Sequence, residues 1–554
     1  MIIMKNYYLR NIFMFSVGVF FIFGCHGKTE KNIVENEKES FLNWENFKDY
    51  IQNFNKADKE LYIQFIPNNK AEDFLKRNIP WFECPDKELE KTYYFRWWTY
   101  RKHIKKTPEG FVITEFLPDV TWAGKYNTIN CPAGHHFYEG RWLHNSTYLQ
   151  DYARFWFKGG GSVRSYSFWA SNSILAFASV HNEKKLITEL LPLFINNYES
   201  WERERLCPDG LFWQIDNRDG MEVSIGGSGK RATINSYMIS EAEAIAKIAM
   251  IEGDKLLSDK YTYKMTNLKT LMLSKLWDSE HKFFKTLPLN IEEMEKWKDS
   301  PYRNTFTQYS NEDPKLVNVR ELHGYTPWYF GIPEEQHSNA WEFILTSGGF
   351  KAPFGPTTAE QNHPDFKVVY EGHECQWNGP SWPFATSITL KAMANLLRKY
   401  NQTVISKEDF FDLLGTYSNS HRRIDERGQK ICWIDENINP YTGDWISRTM
   451  LKARERQPIE RGKDYNHSAF CDIVISDLIG IQPSTSDSLT IHPLVPENYW
   501  NWFCLDRVKY HDKILTIIWD KNGTKYKRDK GFSVYVNGEL RHNSKKIDKI
   551  IIQI

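Results

Sequence analysis

The sequence predicts a mainly α-helical domain, a toroid of helical hairpins with its unusual residues gathered in the loops at one end, followed by a small antiparallel β module. Three observations predict it. Across residues 46–487, apolar side chains recur at helical spacing in separate segments of about 12–20 residues. Those segments are separated by long loops rich in Gly, Pro, Trp and Asn, where loops of such length commonly serve function. No strand–helix alternation runs through them, and from Ser488 the chain changes to β-branched and aromatic runs.

In the helical part, Leu186, Leu190, Leu193 and Phe194 mark one amphipathic segment, and Met238, Ala242, Ile245 and Ala249 mark the next. In the C-terminal part, residues 488–554, the runs Leu489-Thr490-Ile491, Ile514 to Ile518 and Phe532 to Val536 read as strands. Asn522-Gly523 and Asn537-Gly538 read as type I′ hairpin turns. So short a β-sandwich-like piece is expected to cap the main domain rather than act as a separate carbohydrate-binding module.

The chain has 554 residues, with 71 Lys+Arg against 70 Asp+Glu, and this near-neutral balance excludes an electrostatically driven nucleic-acid partner. Its 35 Phe, 29 Tyr and 21 Trp supply enough apolar surface to offset the entropy of ordering, which excludes wholesale disorder. Lys5 and Arg10, the apolar run Ile12 to Phe23 and then Gly24-Cys25 have the organisation of a secretory signal (residues 1–24). Ile22-Phe23-Gly24-Cys25 resembles a bacterial lipobox, which implies lipidation of Cys25, export, and anchorage to a membrane facing the periplasm or the cell surface. Residues 25–45 are expected to be a flexible tether. The other seven cysteines form no Cys-x-x-Cys pair, so no zinc ribbon is expected; one or two disulfides are allowed.

Three loop clusters carry candidate chemistry. The first, Gln214 to Gly227, contains Asp216, Arg218, Asp219 and Glu222 among glycines that permit close backbone approach. A carboxylic acid kept protonated there by burial or a neighbouring charge is a candidate general acid. The second, Gln376-Trp377-Asn378-Gly379-Pro380-Ser381-Trp382-Pro383, surrounds a turn with two indoles suited to the C–H face of a sugar, and follows Glu371, His373 and Glu374. The third, Trp433 to Asp444, places Asp435 and Glu436 before an Asn439-Pro440 turn, with Tyr465-Asn466-His467-Ser468 soon after. Taken singly, the first also reads as an ion-pair knot around Arg218 and the third as a charged surface turn.

In this order the clusters resemble the catalytic domain of the glycoside hydrolases related to family 63, including the mannosylglycerate-hydrolase-like branch and, more distantly, the trehalases. The likeness runs over residues 90–487. Gly220-Met221-Glu222 corresponds to the family's general-acid motif with Glu in place of Asp, and Asp219 beside Arg218 is its rival. Trp377-Asn378-Gly379-Pro380-Ser381-Trp382 corresponds to the sugar-binding Trp-x-Gly-Pro-x-Trp loop, with Asn where Arg is common. Glu436 to Gly443 matches the general-base motif Glu-x-x-x-Pro-x-Thr-Gly. Arg320 to Trp328, with Glu321 and Trp328, supplies further candidate pocket walls.

The resemblance implies an (α/α)6 toroid and an exo-acting inverting glycosidase that releases a terminal α-linked monosaccharide from an oligo- or polysaccharide. Glu222 or Asp219 would protonate the glycosidic oxygen, while Glu436 deprotonates the attacking water. Carboxyl groups about 6.5–9.5 Å apart suit inversion, and about 5 Å suits retention. Asp216, Arg218, Glu321, Trp328, Trp377, Asn378, Trp382 and His467 are the candidate substrate contacts. The chemistry requires no metal or organic cofactor, and no Walker, Rossmann or His-rich zinc motif occurs. A glycan-binding protein without turnover, a polysaccharide lyase and a phosphorylase are the competing readings.

Overall fold

The computed structural model describes residues 40–297 and 313–554, and Phe41 to Ile554 form one compact unit. The signal, Cys25 and most of the tether lie outside the described residues. The tether ends earlier than residue 45: the Phe41 and Leu42 amides donate to Asp506 Oδ2 at 2.7 and 3.0 Å, and Trp44 is buried. The Asp506 carboxylate and apolar partners in the C-terminal sheet such as Tyr535 hold this segment.

Helices in two layers build the main body as a toroid. Helix Ala232–Ile251 belongs to the inner layer, since sixteen of its twenty residues are buried. Its outer partner, Lys255–Lys275, buries four of twenty-one. Met238, Ala242, Ile245 and Ala249 all lie in the core. The inner helix also contacts Ala170–His181, Lys184–Arg205 and the short helix Thr326–Tyr329, which packs on Pro383–Lys399. Lys407–Ser420 covers that last helix, and Lys48–Ala57 covers Lys87–Lys102. Buried ion pairs tie these helices to the chain after residue 471. Arg141 bonds Asp472 at 2.7 Å, and Arg398 and Lys391 bond Asp477 at 3.0 and 3.1 Å.

The C-terminal module contains a five-stranded antiparallel sheet in the order Trp81–Glu83, Trp502–Tyr510, Lys513–Asp520, Gly531–Val536, Glu539–Ser544. Its first strand comes from far upstream, with Phe82 opposite Leu505, so the module is completed by the toroid's own chain. A second sheet joins Ile481–Gln482, Ser488–Ile491 and Ile550–Gln553. Asn537 and Gly538 both have positive φ, 51° and 78°, as a type I′ hairpin demands. At Asn522-Gly523 only Gly523 has positive φ, so that turn starts a longer connection instead of closing a hairpin.

The seven described cysteines are free thiols. Trp328, expected in a pocket wall, is a core residue with no exposed surface. Thr326-Pro327 open the short helix that turns the indole inward, against Phe284, Trp341 and Tyr325 with ring centroids 5.5, 5.7 and 6.1 Å away. Trp328→Ala is expected to cost about 3–5 kcal/mol of stability in thermal or urea unfolding, while KM in the folded fraction stays unchanged.

Candidate active site

The three clusters meet through backbone hydrogen bonds. The Trp377 amide donates to the Glu222 carbonyl at 3.0 Å, joining the first to the second, and Ser381 and Ile438 exchange bonds of 3.0 and 2.9 Å, joining the second to the third. Together they frame a cavity of about 310 Å³ lined by Glu222, Trp382, Glu436 and His467. Glu115, Tyr166, Cys375, Arg461 and Tyr465 complete much of the wall.

The first cluster forms a folded loop around Arg231. Gly220 has φ 72° and lies where a Cβ would come within 2.6 Å of Cys131 Sγ, so glycine is required as the chain turns toward the cavity. Asp219 points the other way. Its Oδ2 accepts from Arg231 Nε at 2.8 Å, both side chains are fully buried, and the Thr233 hydroxyl donates to the same oxygen. This makes Asp219 the counterion of a structural guanidinium, and it is absent from the cavity wall. Asp219→Ala leaves Arg231 buried without its charge partner; the expected cost is about 3–5 kcal/mol in equilibrium unfolding.

Glu222 faces the cavity. Burial pushes its carboxyl up to about 7, the charges of Asp216 and Glu436 push the same way, and its own amide and Arg218 oppose them. The next residue, Val223, is exposed yet has φ 65°, a sparsely populated conformation for a β-branched side chain and one that clusters at functional sites. Arg218 lies over the Tyr166 ring at 5.1 Å. Replacing Arg218 by Met removes a positive charge that favours the ionised acid, so the alkaline limb of kcat/KM should move to higher pH; a pH–rate profile checks this.

Glu436 is fully buried. Arg461 donates Nε–H and Nη2–H to its Oε1 at 2.9 and 2.6 Å, and the Cys375 thiol lies 3.2 Å from Oε2. Beside it, burial and the Glu436 charge raise Asp435 to about 7. Asp435 supports the loop by accepting from the Glu436 amide at 3.0 Å. Trp382 lines the cavity. Trp377 stacks behind it at 4.7 Å and 15°, so one indole of the expected wall touches the site and the other backs it.

The remaining candidates support the wall from behind. Asp216 Oδ1 accepts from the Asn217 amide at 2.9 Å and braces the loop. Glu321 Oε2 bonds His323 Nε2 at 2.9 Å and presses on Gly226, where a Cβ would sit 2.3 Å from it. Asn378 contributes its carbonyl to the Lys367 amide at 2.9 Å as part of the turn. Cys207, Asp209 and Glu293 have the spacing of a metal site, but Lys230 Nζ already bonds the two carboxylates at 2.9 and 2.6 Å.

Sequence reasoning missed Glu115 and Arg461. Glu115 follows the short strand Gly110–Ile113 with no motif around it, and Arg461 lies between the third cluster and Tyr465, outside every motif.

A profile of the mannosylglycerate hydrolase MGH1-like glycoside hydrolase domain matches residues 125–468, and one of the glycosyl hydrolase family 65 C-terminal domain matches residues 484–541. A solved structure titled "Sialidase" is 37% identical, with a TM-score of 0.83 over 93% of this chain. The chain spans 45% of that protein's length. A GH78 family rhamnosidase of a Bacillus species is 11% identical with a TM-score of 0.50, covering 80% of this chain and 40% of its own, a likeness of fold. A GH63 mannosylglycerate hydrolase from Thermus thermophilus is 12% identical with a TM-score of 0.40, over 74% of this chain and 98% of its own.

Proposed function

We propose that this chain, which belongs to the mannosylglycerate hydrolase MGH1-like glycoside hydrolase domain family, is an exo-acting, inverting glycosidase that releases a terminal monosaccharide from an oligo- or polysaccharide. The observation that carries this reading is the pairing of two unlike carboxyl groups in one small cavity. Glu222, half-buried and raised to about 7, keeps its proton in about half of the molecules at neutral pH and is the general acid toward the glycosidic oxygen. Glu436, ion-paired to Arg461, is the general base toward a water on the opposite face of the sugar. The cavity volume, near the lower end of ligand sites at about 300–1,000 Å³, supports binding of one terminal sugar ring rather than a long chain segment. Trp382 supplies an apolar face for that ring.

The test is sugar release from plant, host and microbial glycans by protein lacking residues 1–25, with the product anomer followed by NMR. A single monosaccharide released with inverted configuration is expected. Binding without release, an unsaturated product absorbing in the ultraviolet, or dependence on added phosphate would each replace the hydrolase reading. We also propose that Cys25 carries the lipid anchor of an exported, membrane-held protein. Full-length protein should partition into a detergent phase, and Cys25→Ser should move to the aqueous phase.

A further inference from the structure

Two carboxyl groups of the cavity wall are used by neither half of the two-carboxylate chemistry: Glu374, ion-paired to Arg454 at 2.8 Å, and Glu115. Glu115 is held by a backbone zipper: its carbonyl accepts from the Asn466 amide at 3.1 Å, and the Thr114 carbonyl accepts from Asn466 Nδ2 at 3.2 Å. The Tyr465 hydroxyl donates to Glu115 Oε1 at 2.6 Å, with His467 Nε2 at 3.8 Å from the same oxygen. Oε2 has no partner among the described residues, and Glu115, Tyr465 and His467 all line the cavity.

We propose that Glu115 is a substrate-reading residue that presents a carboxylic O–H from Oε2 to a hydroxyl of the terminal sugar. The inference rests on the glycosidase reading of this cavity. Its first support is charge balance. The groups facing Glu115 are Tyr465, His467, Glu222, Glu436, Arg461, Cys131, Tyr152 and Tyr166. Two arginines line the cavity: Arg461 directs both of its cavity-side donors to Glu436 Oε1, and Arg456 makes no ion pair with Glu115, whose one pairing among the described residues is His467, so no guanidinium serves as counterion to a Glu115 carboxylate. Burial, with smaller contributions from Glu436 and Glu222, raises its carboxyl to about 8 against the opposing Tyr465 bond. The second support is donor geometry. A protonated carboxyl has a single O–H, and Oε1 is already an acceptor from Tyr465, which leaves the proton on Oε2. A neutral donor fixed in a buried site discriminates between sugars that differ by one hydroxyl, because the wrong sugar leaves it unpaired.

Two measurements test this. The first needs no substrate. Native Glu115 keeps a proton that the unfolded chain releases above its ordinary carboxylate range, so it lowers stability progressively as pH rises to about 8. The melting-temperature difference between Glu115→Gln and wild type should therefore grow in favour of the variant from about pH 4 to pH 8. A pH-independent difference would overturn the proposal. The second uses the p-nitrophenyl glycoside of the sugar that the release assay identifies, together with its deoxy analogues. Glu115→Leu should lower kcat/KM by about 10- to 100-fold, and one deoxy analogue should lose the same factor with wild type but nothing further with the variant. Glu115→Gln, which retains N–H donors, should recover part of the loss. If Glu222→Gln and Glu436→Gln lose activity on the natural linkage while Glu115→Leu handles every analogue as wild type does, this proposal fails and the glycosidase reading stands. If Glu222→Gln and Glu436→Gln both release sugar from the natural linkage as wild type does, the glycosidase reading of this cavity fails.

Discussion

Glu436→Gln is expected to lower kcat by about 10³- to 10⁴-fold, at the upper end of what general base catalysis contributes, while leaving the melting profile cooperative. The amide cannot take a proton from water, and Arg461 loses the charge to which it donates twice. Removing a partner from a buried ion pair also costs stability, so circular dichroism and thermal unfolding must accompany the kinetics. Glu436→Ala opens space beside Cys375, where azide can take the place of the activated water. Recovered turnover giving a glycosyl azide of inverted configuration would place Glu436 on the face opposite the leaving group, and an inverted wild-type product would then make it the base rather than a nucleophile. A retained-configuration azide would instead place Glu436 at the acid/base position of a retaining mechanism.

Glu222→Gln is the companion experiment, and its diagnostic is the leaving group. With a natural glycosidic linkage the loss should reach about 10²- to 10⁴-fold, because the departing alkoxide needs a proton. With an activated aryl glycoside, which departs without one, the loss should be much smaller. In wild type, kcat/KM should fall as pH rises through about 7, where the acid loses its proton, and Glu222→Gln should lack that limb. Equal losses on both substrates, with the limb retained, would remove Glu222 from the acid role.

These predictions concern residues whose types were legible in the sequence. The Trp-x-Gly-Pro-x-Trp turn, the Glu436 to Gly443 stretch and the glycine-punctuated loop around Glu222 stand out because indoles, carboxylates and helix breakers rarely coincide without a ligand to serve. Trp328 was misleading for a physical reason: an indole fits a core and a sugar site equally well, and here the short helix at Thr326 decides in favour of the core. Glu115 was invisible because its meaning depends on Tyr465, 350 residues away in the chain.

The sequence by itself determined the helical periodicity, the Asn537-Gly538 hairpin and the inventory of acids. These depend on the spacing and conformational preferences of neighbouring residues. Only the tertiary structure decided which acid faces the cavity and which is paired away from it. Asp219 and Glu222 are three residues apart in one loop, yet the first is neutralised by Arg231 at 2.8 Å and the second is desolvated in a cavity with Glu436. A carboxyl group's protonation and role are set by its burial and by charges a few ångströms away. In this fold those charges arrive from distant segments of the chain.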